Sequence, residues 1–110
     1  MTNELGLQVS NEGDAMCLMV QGELDIQTGS ELCDSAASGS AQTSRVLIDL
    51  SAVSFIDSSG VAALLLADRT ARSHGSHLVV TAASPAVTRV LRLSGVARHL
   101  GLGPEGEAAG

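Results

Sequence analysis

The stretch Asp57-Ser58-Ser59-Gly60 contains one carboxylate and two hydroxyls, which are the side chains in this sequence best placed for chemistry. They follow an apolar run, Val46 to Leu50, and precede Val61 to Leu66, where apolar residues recur at helical spacing. Asp and Ser at a helix start accept hydrogen bonds from the free N–H groups of the first turn. A serine hydroxyl there could also carry a phosphate, because those N–H groups and the helix dipole favour a dianion. The stretch predicts a strand, a loop and a helix. The serines in the first turn of that helix either serve only as N-cap residues or form a phosphorylation site.

Two other sets of residues could support catalysis. Glu23 and Asp25 could form a carboxylate pair for acid–base chemistry, although a solvated turn and a helix-start charge explain them more simply. Ser58, His99 and Asp25 could be written as the triad of a small serine hydrolase. The sequence contains no Gly-x-Ser-x-Gly elbow and no phosphate-binding loop of the Gly-x4-Gly-Lys type. We therefore predict a protein that is not an enzyme, with a serine hydrolase as an alternative.

The rest of the chain predicts the elements that position the serines. An alternating segment and an apolar segment flank the turn residues Asn11 to Asp14, which indicates an antiparallel hairpin. Strands and helices then alternate, which favours an α/β fold with a mostly parallel sheet of four or five strands, an antiparallel edge strand and about three helices. The predicted strands are Leu5–Val9, Ala15–Val20, Arg45–Leu50, Ser76–Ala82 and a short possible one at Val96–Leu100. The predicted helices begin at Thr28, which has capping-box spacing to Glu31, at Ser58 and at Ser84-Pro85.

Further expectations concern single side chains and the end of the chain. Asp68, Arg69 and Arg72 are predicted on the solvent side of the second helix. Residues 1–100 are expected to form one domain, and residues 101–110, rich in Gly, Glu and Ala, a flexible acidic tail.

Composition limits the possible functions. The formal net charge is −6, with six Arg and no basic run, which argues against direct nucleic-acid binding. No apolar run reaches the ~20 residues of a membrane span, and residues 1–4 lack a signal pattern, so we expect a cytoplasmic protein that does not bind membranes. Cys17 and Cys33 have no close metal-ligand neighbours, so neither a disulfide, a metal site nor a cofactor is expected.

Three motifs together resemble the STAS domain of bacterial anti-sigma factor antagonists. They are Gly22-Glu23-Leu24-Asp25, Phe55-Ile56-Asp57-Ser58-Ser59-Gly60-Val61 and Ser84-Pro85-Ala86-Val87, in the order of the family and at about its spacing. The resemblance covers roughly residues 5 to 100 and implies the STAS fold. It also implies that Ser58 is the phosphoacceptor and Ser59 a cap or contact residue. The residues that it implies for partner binding are Glu23, Asp25, Asp57, Ser58, Ser59 and Gly60.

The resemblance also implies a mechanism. The unphosphorylated protein would bind an anti-sigma factor, which is also a serine/threonine kinase, and so release a sigma factor. Phosphorylation of Ser58 would block that binding, and a PP2C-type phosphatase would reverse it. STAS-like domains also serve as non-phosphorylated scaffolds in signalling complexes and as subunits of lipid-transport ATPases. The partner recovered with the protein would distinguish these alternatives.

Overall fold

The computed structural model describes residues 5–102, which form a four-stranded sheet and three helices. The elements in chain order are β1 (Leu5–Glu12), β2 (Ala15–Leu24), α1 (Ile26–Ser40), β3 (Arg45–Ile56), α2 (Ser58–Ser73), β4 (His77–Ala83) and α3 (Pro85–Leu93). The sheet order is β1-β2-β3-β4, in which β1 pairs with β2 antiparallel and the other two pairs are parallel. This confirms the predicted α/β fold with a mostly parallel sheet, three helices and an antiparallel edge strand. Within residues 5–102, no helix combines the length and apolar character needed to cross a membrane.

One face of the sheet supplies most of the core. Alternate residues of the two central strands are buried, for example Leu18 and Val20 in β2 and Val46 and Ile48 in β3, as expected for strands covered on one face. The residues between them are more exposed; Met19, for example, is 53% exposed. Side chains from all three helices join the same apolar cluster, including Leu32, Leu64 and Leu91.

Strand β3 continues six residues beyond its predicted end at Leu50. Ser51 and Ser54 are exposed, so these polar residues do not interrupt the strand, whereas Val53 and Ile56 are buried. The register of β3 against both neighbouring strands shifts near Asp49. The buried residues are consequently two positions apart up to Leu50 and three positions apart beyond it. The prediction was wrong here because a bulged strand does not keep strict alternation.

The predicted fifth strand at Val96–Leu100 is also wrong. The Leu100 N–H donates to the Val96 carbonyl at 3.0 Å, a helical-turn spacing, between Gly95 and Gly101, which both have positive φ. Leu100 and Leu102 are nevertheless buried, so Leu102, a residue of the predicted tail, is part of the core. The rest of that tail, residues 103–110, lies outside the described residues.

Asp68 is buried and not on the solvent side of α2 as predicted. Its exposed fraction is 4%, and its Oδ2 atom lies 2.9 Å from His99 Nε2 and 3.2 Å from Arg72 Nε. The segment that follows α3 therefore covers this side of α2, which the helical pattern of α2 alone does not show.

Candidate functional site

All three helices begin at one edge of the sheet. Because β2, β3 and β4 are parallel, their carboxyl ends meet there, and each is followed directly by a helix. The N-cap residues are Asp25, Asp57 and Ser84, one from each of the three sequence motifs. In open α/β sheets this edge is where ligands and partners usually bind. The motifs that lie far apart in the sequence therefore converge on one surface.

Asp57 joins the start of α2 to the end of β2. Its Oδ1 atom accepts a hydrogen bond from the Gly60 N–H at 2.9 Å, as predicted for an N-cap. Its own N–H donates to the Leu24 carbonyl at 3.4 Å. Ser58 and Ser59 follow as the first two residues of α2. Their positions are fixed because Asp57, just before them, bonds to Gly60 in the helix and to Leu24 in β2.

The hydroxyl of Ser58 is exposed and makes no hydrogen bond to any residue within 5–102. The backbone N–H groups of Ser58 and Ser59 likewise have no acceptor in that part of the chain. Ser59 is half-buried. A phosphate on Ser58 would thus lie beside two free donors and the positive end of the helix dipole. The cap is made by Asp57, so the Ser58 hydroxyl is not needed for it.

Gly60 is buried and packs against the end of β2. A Cβ atom at this position would lie 2.4 Å from the Leu24 carbonyl oxygen and 2.7 Å from Ile56 Cγ1. The resemblance implies Gly60 as a partner-binding residue. The structure instead gives Gly60 a packing role, since only glycine lets α2 begin this close to β2.

The N-cap of helix α1 lies three residues before Thr28, the predicted N-cap. The N-cap is Asp25, whose Oδ1 atom accepts hydrogen bonds from the N–H groups of Gln27 and Thr28, both at 3.0 Å. The hydroxyl of Thr28 accepts the Asp25 N–H at 3.0 Å, which completes a capping box. The predicted capping box between Thr28 and Glu31 was wrong, because Thr28 is the third residue of the helix and its hydroxyl bonds to the preceding Asp25.

The two acids of the first motif have different environments. The Asp25 carboxylate is engaged in the cap of α1, whereas the Glu23 side chain is exposed. In the parallel register Glu23 pairs with Phe55, and Leu24 pairs with Ile56, so both acids lie beside the start of α2. This places them next to the serine loop, Asp57–Gly60.

A shallow groove between α1 and α2 opens beside the serine loop. Asp25 and Ser59 both line it, together with the apolar side chains of Ile26 and Leu66 and with Cys33. Ile26 is 79% exposed and Leu66 is 50% exposed. Among residues 5–102, the charged residues in its wall are the carboxylates Asp25 and Asp34, and no basic residue lines it. The surface beside Ser58 is thus apolar with a negative rim.

Sequence reasoning missed the apolar members of this surface. Ile26, Leu66 and Phe55, which is 46% exposed, are large side chains that face solvent around the loop. The sequence does contain one indication of an exposed leucine in α2. Leu64, Leu65 and Leu66 are consecutive, and three consecutive residues cannot all lie on the buried face of a helix.

The residues of the possible hydrolase triad are not brought together. His99 contacts Asp68, which follows Ser58 by ten residues and so lies about 15 Å further along the axis of α2. His74 contacts Ser40 at 2.8 Å. In the described part of the chain, no group of three His, Cys, Asp or Glu residues could hold a metal ion.

Cys33 lines the groove as a free, half-buried cysteine. Burial, and secondarily the neighbouring Asp34 carboxylate, raise the pKa of its thiol. The Sγ atom lies 3.2 Å from the Ala63 carbonyl oxygen, to which the thiol donates. A raised pKa lowers the thiolate fraction, so this cysteine is a poor nucleophile at neutral pH.

Several solved structures with the same fold are anti-sigma factor antagonists. An anti-sigma factor antagonist from Mycobacterium paratuberculosis is 27% identical, with a TM-score of 0.76 over 92% of this chain and 86% of that one. The anti-sigma factor antagonist SpoIIAA in its unphosphorylated form is 21% identical, with a TM-score of 0.72 over 84% of each chain. The Bacillus cell fate determinant SpoIIAA in its phosphorylated form is 20% identical, with a TM-score of 0.66 over 84% of this chain and 86% of that one.

These likenesses define a small α/β domain of the kind found in anti-sigma factor antagonists. A family model described as "Mlab, STAS domain" matches residues 7–103, which is most of the sequence. The chain belongs to the STAS family.

Proposed function

We propose that this protein is an anti-sigma factor antagonist controlled by phosphorylation of Ser58. In its unphosphorylated form it binds an anti-sigma factor that is also a serine/threonine kinase, and a sigma factor is released. Phosphorylation of Ser58 by that kinase blocks binding, and a PP2C-type phosphatase restores it. The observation that carries the proposal is the exposed Ser58 hydroxyl, which has no hydrogen-bond partner in residues 5–102 and lies at a helix start.

The chemistry of the surrounding surface supports a protein partner. Ile26 and Leu66 offer exposed apolar area, and Asp25 and Asp34 provide negative charge in the same groove. An apolar centre with a polar rim is typical of protein–protein interfaces. A complementary partner would present apolar side chains flanked by Arg or Lys. The groove and Ser58 would then be covered together.

The effect of the phosphate follows from its charge. A phosphoserine adds about −1.5 to −2 charge at neutral pH. Next to Asp57 and Asp25, at the centre of an interface, this charge would have to be desolvated near other negative charges. A loss of about 3–4 kcal/mol would weaken binding by two to three powers of ten. The free N–H groups of the first turn of α2 would meanwhile keep the modified protein folded.

The relatives support the same proposal. SpoIIAA, which shares this fold, has been solved in both phosphorylated and unphosphorylated forms. The antagonist from Mycobacterium paratuberculosis superposes over almost the whole of the present chain. We therefore propose the same class of partner here.

The proposal is tested by affinity capture from the cells that make the protein. Wild type and Ser58→Ala should retain an anti-sigma factor with kinase activity, and Ser58→Asp should retain at least tenfold less. Ser73→Asp is the matched control, since it adds the same charge at the exposed far end of α2 and should bind as wild type does. Equal capture by Ser58→Asp and wild type would contradict the switch. Recovery of a lipid-transport ATPase or a large signalling assembly would favour the non-phosphorylated roles.

A further inference from the structure

The two edges of the sheet are treated differently. Along β4 the Val80 N–H donates to the Leu100 carbonyl at 2.7 Å, and Gly101 packs closely against Val79. The segment after α3 therefore shields that edge. Along β1, no residue in 5–102 makes a hydrogen bond to the outer side of the strand. An open edge presents a row of unpaired backbone groups to any extended chain.

The hairpin turn determines which residues of β1 face outwards. The pair Glu12–Ala15 closes a two-residue turn at Gly13-Asp14, so it is a hydrogen-bonded pair. Hydrogen-bonded and non-bonded pairs alternate along an antiparallel ladder, and the register of β1 with β2 has no shift. The backbone groups of four residues consequently point away from β2; they are Leu5, Leu7, Val9 and Asn11.

The usual protections of an edge strand are absent from residues 5–11 of β1, and the charged residue of the strand, Glu12, lies at its end beside the turn. Residues 5–11 contain no charge and no proline, and the ladder has no bulge. Leu5 and Leu7 pack partly on the core, and Val9 on the same face is 55% exposed. The strand thus combines eight residues of regular backbone with an apolar row that is only partly covered.

We propose that the outer edge of β1 pairs with β1 of a second copy of this chain, antiparallel and centred on Leu7. Leu7 then lies opposite its counterpart, and Leu5 lies opposite Val9, so every outward residue in the pairing meets an apolar one. These three pairs would form about six backbone hydrogen bonds and join the two sheets into one.

A second copy meets less charge repulsion at this edge than at other parts of the surface. Each chain has a formal net charge of −6, so two copies repel, but residues 5–11 carry none of the acids. The pairing involves one short strand from each copy and buries less than a standard interface, so the dimer is expected to be weak. This inference does not depend on the proposed role of Ser58.

Sedimentation equilibrium of the full chain tests the pairing. Wild type should show a monomer–dimer equilibrium with a dissociation constant below about 1 mM. Val9→Glu, which places a carboxylate in the pairing, should weaken the dimer at least tenfold. Met19→Glu is the matched control, because Met19 is 53% exposed, lies on β2 away from the edge, and gains the same charge. A monomeric wild type at 1 mM, or equal weakening by both variants, would overturn the proposal.

Amide hydrogen exchange tests the register directly. The N–H groups of Leu7 and Val9 should be protected only at high protein concentration, because the second copy supplies their acceptors. Those of Gly6 and Gln8 point to β2 and should be protected at every concentration. If Leu7 and Val9 exchange equally fast at about 0.05 mM and 1 mM, β1 does not pair with itself.

Discussion

Replacing Gly60 by alanine tests whether the serine loop is held by the close approach of α2 to β2. In a helix an alanine is normally more stable than glycine by about 0.5–1 kcal/mol. Gly60 is a helical residue without positive φ, so propensity alone predicts that Gly60→Ala stabilises the protein. The structure predicts the opposite sign.

The expected magnitude follows from the contact distances. The added Cβ would lie 2.4 Å from the Leu24 carbonyl oxygen, which is backbone and cannot rotate away. Overpacking of this kind costs about 1–3 kcal/mol. After the gain in propensity, we expect a net loss of about 1–2 kcal/mol, which corresponds to a melting temperature lower by about 4 °C or more.

Urea unfolding followed by circular dichroism measures the change. Gly29→Ala is a suitable comparison, because Gly29 is also helical and its new Cβ would meet the Ala63 methyl group at 2.8 Å. That contact is longer and is relieved by Ala63→Gly, so the double variant should recover stability. If Gly60→Ala is as stable as wild type or more so, the close packing of α2 on Leu24 is not as described.

Three further predictions concern other contacts. Asp57→Ala should lose about 1 kcal/mol of unfolding free energy, measured in urea, whereas Asp57→Asn keeps the acceptor for the Gly60 N–H and should lose little; equal losses would contradict the cap. A double-mutant cycle with Asp68→Asn and His99→Gln should give a coupling of at least about 0.5 kcal/mol, and additive losses would mean that their 2.9 Å contact contributes nothing. The rate of maleimide reaction at Cys33 should reach half its maximum at a higher pH than for a free thiol, because a raised pKa delays thiolate formation; an equal or lower midpoint would contradict the raised pKa.

The sequence predicted the parts of the fold that depend on local signals. The N-caps Asp57 and Ser84-Pro85 and the hairpin at Gly13 all use short-range chemistry, and the structure confirms them. The order of the elements was sufficient to predict a mostly parallel sheet with one antiparallel edge.

The errors arose where a residue's role depends on distant parts of the chain. Asp68 is buried because His99, thirty-one residues later, folds back onto α2. The length of β3 depends on bulges opposite both neighbouring strands, which alternation in one strand cannot reveal. The exposed Ile26 was missed because the start of α1 had been placed at Thr28.

The candidate site was predictable in part for the same reason. Glu23 and Asp25 at the end of β2 and Asp57 at the end of β3 lie close together, because the ends of parallel strands meet at one edge. The groove beside them requires two helices packed side by side, and this arrangement is not encoded in either helix alone. Whether these residues bind a partner stays a prediction.

The most direct test of the central proposal is mass spectrometry of the protein purified from its own cells, with and without phosphatase treatment. We predict one phosphate on Ser58 in part of the protein, which phosphatase removes. It should be absent from Ser58→Ala and retained in Ser59→Ala, whose hydroxyl is half-buried. Absence of phosphate from Ser58 under every growth condition, or a phosphate found only on another residue, would contradict a switch at Ser58.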